Sequence, residues 1–123
     1  MATLLYFAAF LSVALGIAHS YLGEKYILIR LFRRENLPKI FGDQEFTKRT
    51  LRFAWHITTV AWIGFAALLV HAGREDFTIP GTLRIVGVTA IISGLFPLIF
   101  TRGRHLAWVV LFAIGAIALW CAG

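Results

Sequence analysis

The stretch ATLLYFAAFLSVALGIAHSYL, Ala2–Leu22, runs for 21 residues without a single Lys, Arg, Asp or Glu. About 20 helical residues cross the hydrocarbon core of a bilayer, so this stretch predicts a membrane span. Three more follow: Phe53–Ala72, Thr82–Phe100 and Leu106–Cys121, the last the shortest, with Arg84 the one charged residue among them. These runs are apolar on every face. That selects helices over the alternating strands of a barrel, since backbone N–H and C=O groups in lipid must be satisfied within the segment.

Composition agrees. The chain has 123 residues, 59% of them hydrophobic and 15% charged, where a soluble domain is about a quarter charged. There is room for one domain, and the expected fold class is all-α: a polytopic membrane protein with four transmembrane helices in a bundle. Gly16-Ile17-Ala18 has the small-x-small look of a signal-peptide cleavage site, but Met1–Leu5 carry no base, so the first helix is expected to be retained.

Charge placement predicts the orientation. Between Gly23 and Arg52 stand Lys25, Arg30, Arg33, Arg34, Lys39, Lys48, Arg49 and Arg52 against Glu24, Glu35, Asp43 and Glu45; Arg102 and Arg104 lie in the other turn on the same side. On the opposite side Arg74 and Arg84 are balanced by Glu75 and Asp76, so the net charge of +6 belongs to one side. Short loops rich in Lys and Arg stay cytoplasmic. Both termini are therefore expected on the non-cytoplasmic side, in a bacterial inner (plasma) membrane. Topology alone accounts for the basic excess, and nucleic acid is not an expected partner. Tyr21, Tyr26, Trp55 and Trp108 fall near the inner boundary and Tyr6 and Trp120 near the outer one, the depth that amphipathic rings prefer.

The 23–52 connection is long for neighbouring helices, and its pattern is not that of a slack linker. Arg30, Arg33 and Arg34 recur at i, i+3, i+4 opposite Ile27, Leu28, Leu31 and Phe32, so helix 1 is expected to continue until Asn36-Leu37-Pro38 breaks it. Asp43 then suits an N-cap, and the new helix can run through Phe46 and Arg49 into span 2. The result is a basic helical cytoplasmic hairpin. Arg30, Arg33, Arg34, Lys48, Arg49 and Arg52 are its candidates for binding anionic lipid headgroups or a partner protein, each base near such a surface contributing about 1 kcal/mol.

The histidines offer the plainest site chemistry. His19, His56 and His105 start or end three spans at one predicted depth, with Glu24 close by, and neutral imidazole is a common ligand of transition metals and haem. The bland alternative is that imidazole, wet at one end and apolar at the other, suits a membrane interface. No His-x-x-x-His pair occurs, and His71 stands alone on the far side. Thr58, Thr59, Thr89 and Ser93 are candidates for a polar path through the spans. Hydroxyls in apolar helices more often bond their own i−4 carbonyl or a neighbouring helix.

Absences sharpen the ranking. The spans hold no Asp or Glu to couple export to protons and no Asn or Gln to line a pore, and Cys121 is a lone cysteine. No nucleophile elbow or phosphate loop is present, which leans against an enzyme. The first expectation is a small non-catalytic accessory, scaffold or oligomeric subunit acting through its basic hairpin, as a homo-oligomer or part of a larger membrane complex. The second is a metal- or haem-binding, redox-active membrane protein using the histidines. The third is a small-solute transporter.

Overall fold

A computed structural model describes residues 1–123. The chain is all-helical with no sheet, built on four helices of which three are long and apolar enough to cross a membrane. The first, α1, spans Ala2–Leu22 and continues without interruption through a wider i→i+5 turn, Gly23–Leu28, to a last turn at Ile29–Leu31. It closes before Asn36-Leu37-Pro38, because the run Arg33-Arg34-Glu35-Asn36 has no apolar side to bury. Phe41 (φ 60°) and Gly42 (φ 94°) then form a two-residue turn closed by Ile40 N–H donating to the Asp43 carbonyl at 2.9 Å. This is the turn that needs positive φ at both central positions.

The next helix, α2, is Glu45–Ala72 and runs unbroken as the sequence predicts, but its N-cap is Gln44 rather than the expected Asp43; Asp43, one residue earlier, accepts from the Glu45 N–H through Oδ1 at 2.9 Å. The third helix, α3, is Ile79–Phe100. It starts three residues ahead of the expected Thr82 because the Thr78 hydroxyl accepts from Gly81 N–H at 3.1 Å and Pro80 sits in the first turn, both standard start signals. Pro97 is buried inside α3, which runs past it. The fourth helix, α4, is Ala107–Cys121. Its 15 residues reach about 22 Å at 1.5 Å per residue, short of the roughly 30 Å hydrocarbon core. Three helices rather than the expected four thus meet the length for crossing on their own.

The helices pack in sequence order, α1 on α2, α2 on α3 and α3 on α4, and no Cα of α1 lies within 8 Å of α3 or α4. The array is an open row, not a closed ring. Two different seams on opposite sides of α2 make it so. Hydroxyls and imidazoles face α1, whereas Gly64 faces α3, where a Cβ would stand 2.7 Å from the Thr89 side chain. The third seam is glycine against glycine: a Cβ on Gly87 or Gly115 would come within 3.1 or 3.0 Å of the other's carbonyl oxygen. Only 16 of 123 residues are buried, and Phe10, Ile17, Ile99 and Ile117 are all more than half exposed, so most apolar surface faces outward.

Both ends of the row are tied. At the end holding the termini, Tyr6 Oη donates to the Gly73 carbonyl at 3.0 Å and Arg84 Nη2 to the Gly123 carbonyl at 3.3 Å. At the other, the 32–44 segment and the first turn of α2 meet the α3–α4 turn: the Arg104 guanidinium lies 5.6 Å from the Phe41 ring centre, and Phe46 stacks on His105 with centroids 6.2 Å apart. Ten of the twelve Lys and Arg residues belong to this basic end.

Candidate functional site

The polar groups of the helices gather in the α1–α2 seam near the basic end. Ser20 and Glu24 lie one turn apart on α1 and its extension, and Arg52 and His56 one turn apart on α2, so residues at i and i+4 meet residues at i and i+4. Arg52 Nη2 and Nε donate to the two Glu24 oxygens at 2.8 and 3.3 Å, and Glu24 Oε2 lies 3.0 Å from His56 Nε2. The Ser20 hydroxyl stands 2.8 Å from His56 Nδ1 and 2.6 Å from Thr59 Oγ1, which itself lies 3.1 Å from the Gly16 carbonyl.

This chain assigns protons. A carboxylate against Nε2 requires that nitrogen to carry hydrogen and donate. With His56 neutral, Ser20 donates to Nδ1 and Thr59 donates to Ser20. With His56 protonated, Nδ1 donates to Ser20, Ser20 to Thr59 and Thr59 to Gly16. One proton on the imidazole thus reverses two hydroxyls. The Glu24 and His56 side chains are 30% and 21% exposed and that of Arg52 38%, and the Arg52 guanidinium also covers the Phe32 ring at 4.9 Å. Glu24→Gln, which leaves Arg52 without its counter-ion, is expected to lower unfolding free energy by about 2 kcal/mol, between the ~0–1 of exposed pairs and the ~3–5 of buried ones. Denaturant titration in detergent checks this. An unchanged midpoint would show that the pair contributes nothing.

His19 belongs to a separate cluster. Its ring stacks on Trp55 with centroids 4.6 Å apart and planes 4° apart, and Trp55 Nε1 donates to the His19 carbonyl at 3.0 Å. Because the Thr58 hydroxyl donates to the Trp55 carbonyl at 2.6 Å, its oxygen accepts from His19 Nε2–H at 2.7 Å. His105 is elsewhere again. It packs edge-on against Phe53 at 5.0 Å, and its Nδ1 accepts from Ala107 N–H at 3.3 Å. Of the expected metal set His19, His56, His105 and Glu24, only His56 and Glu24 meet, and no group of three ligating side chains forms. Consecutive residues on a helix point about 100° apart, so a shared depth did not give a shared direction. His71 Nε2, at the far end, lies 2.9 Å from the Thr78 carbonyl.

The expected polar path is also divided. Thr58 and Thr59 lie in the α1–α2 seam. Thr89 bonds the Ile85 carbonyl of its own helix at 2.7 Å, in the α2–α3 seam, and Ser93 is buried on α3. Of the basic candidates, Arg52 is held by Glu24, Arg49 lies 3.7 Å from Glu45, and Arg30 stacks over Tyr26 at 5.7 Å. Arg33, Arg34 and Lys48 line an open depression of about 600 Å³ together with Lys39. At the opposite end, hydrogen bonds from the Arg74 guanidinium hold the Asp76 carboxyl below its ordinary range.

The sequence singled out Glu24, Arg52, His56 and Thr59 but not Ser20, which joins His56 to Thr59, nor Trp55 and Gly23 as neighbours of His19 and of each other. The Ser20–Glu24 spacing facing Arg52–His56 was the available signal. No known protein family, curated protein or solved structure matches the chain.

Proposed function

We propose that the chain is a four-span integral membrane protein of a bacterial inner membrane, with its basic end in the cytoplasm and both termini outside, serving as an accessory or scaffold subunit. The observation that carries this reading is the gathering of ten of twelve Lys and Arg residues at one end of the helical row, on the helix ends and the turns between them. Short basic loops resist translocation. The fourth span is argued from packing. α4 lies antiparallel on α3, and Arg84 reaches Gly123, so α4 crosses whatever slab α3 crosses between Arg84 and Phe100. The open row supports the scaffold reading. The outer edge of α4, with Val110, Ile114, Ile117 and Trp120 exposed, has no helix against it, and a second copy or a larger complex would cover it.

Cys121, the sole cysteine and exposed, is a native probe. An impermeant maleimide added to intact cells is expected to label Cys121, whereas Arg34→Cys in a Cys121→Ser background should react only after permeabilisation. The opposite pattern would overturn the orientation. Native mass spectrometry in mild detergent should find an oligomer or a defined complex, and a strictly monomeric, partnerless protein would overturn the scaffold role.

A further inference from the structure

Between the turn that precedes α2 and the turn that joins α3 to α4 lies a cavity of about 230 Å³, several times the ~30 Å³ of a water molecule. Arg49, Arg102 and Arg104 line it, with Thr101, Asp43 and Glu45. Asp43 accepts from the Glu45 N–H at 2.9 Å, and Glu45 lies 3.7 Å from Arg49, so an anion here shares Arg49 with Glu45. The guanidinium groups of Arg102 and Arg104 have no carboxylate partner. The Arg104 guanidinium carbon lies 5.6 Å from the Phe41 ring centre.

The backbone supplies a second observation. Phe41 (φ 60°) and Arg102 (φ 53°) are the chain's two non-glycine residues with positive φ, and they sit in the two turns that frame this cavity. Gly103 N–H bonds the Leu98 carbonyl at 2.8 Å and Arg102 N–H that of Ile99 at 3.3 Å. This is the helix-closing motif in which glycine normally occupies the left-handed position that Arg102 takes here. Glycine would fit that backbone better, and it would also remove the guanidinium. Strained non-glycine positions of this kind collect at ligand clamps.

We propose that this cavity binds one phosphate group, held by the guanidinium forks of Arg49, Arg102 and Arg104. Planar guanidinium groups match phosphate oxygens in bidentate fashion. The phosphate comes from an anionic lipid headgroup or from a free phosphate. The headgroup source rests on the membrane orientation given above, whereas the site itself does not.

The test uses the full chain in neutral detergent, with phosphatidylglycerol, phosphatidylcholine and inorganic phosphate added separately and binding followed by native mass spectrometry. Arg49→Gln and Arg104→Gln should each weaken binding at least tenfold. Arg102→Gly should weaken it about fivefold while raising the melting midpoint of the ligand-free protein. A purely structural Arg102 would give the second effect without the first. Retention of phosphatidylglycerol unaffected by millimolar phosphate assigns the lipid source, and binding or competition by phosphate assigns the free one. Equal retention of phosphatidylcholine, wild-type binding by Arg102→Gly, or equal weakening by Arg33→Gln/Arg34→Gln would overturn the site, the last by showing diffuse charge instead. Cysteine labelling that reverses the orientation while this binding pattern holds would sink the topology alone.

Discussion

Gly23→Ala is expected to destabilise the protein by about 3 kcal/mol, although alanine is the better helix former by about 1 kcal/mol. The added Cβ would fall inside the Trp55 indole, far closer than van der Waals contact allows. The ring has little freedom to retreat, being hydrogen-bonded through Nε1 to the His19 carbonyl at 3.0 Å and stacked on the His19 imidazole. Displacing it loses a hydrogen bond of about 1 kcal/mol and an aromatic contact of about 1 kcal/mol, and overpacking adds about 2 kcal/mol, against which the propensity gain returns about 1 kcal/mol. Thermal unfolding in detergent, followed by circular dichroism, gives the sign directly, because propensity and sterics predict opposite ones. Combining Gly23→Ala with Trp55→Phe should cost less than the sum of the two, since the smaller ring relieves the collision. A stabilised Gly23→Ala would remove Trp55 from the α1–α2 seam.

Gly115→Val is expected to act as strongly at the opposite edge of the row. Its Cβ would meet Ile91 Cδ1 at 2.6 Å and the Gly87 carbonyl oxygen at 3.0 Å. A side chain can rotate away, but a helical carbonyl cannot, so α3 and α4 must separate. The expected loss is about 3 kcal/mol, the upper part of the range for overpacked sites, with Gly115→Ala intermediate. α4 has no second neighbour to hold it, so the loss should also show as movement. Spin labels on Arg84→Cys and Trp120→Cys, in a Cys121→Ser background, should report a longer separation once Val is introduced. An unchanged distance and midpoint would mean that the glycine contact is not what holds α4 in place.

Much of the fold was legible because it depends on local properties. Helix 1 continues past Leu22 as the sequence predicts, though it closes at Leu31 rather than at Asn36; the run from Glu45 into span 2 follows from neighbouring residues, and Thr78 with Pro80 could have predicted the earlier start of α3. α4 came out one residue shorter than expected at its start, and neither its length nor its composition alone makes it a span. The row could not be read. Every helix is apolar nearly all round, so hydrophobic periodicity, which tells a helix which side to bury in water, gives no direction here. Small residues set the contacts instead, and several glycines competed for that role in the sequence.

The candidate site divides in the same way. Composition and order determined that the chain forms long apolar helices and that its basic residues gather on one side, because hydropathy and charge are summed along the chain and need no partner. Tertiary structure alone decided that Ser20 faces His56 and Thr59 while its neighbour His19 faces Trp55 and Thr58, and that His105 joins neither. The rotation of each helix about its own axis makes that choice, and seam contacts such as Gly16 and Gly23 against α2, invisible until the helices are packed, fix the rotation.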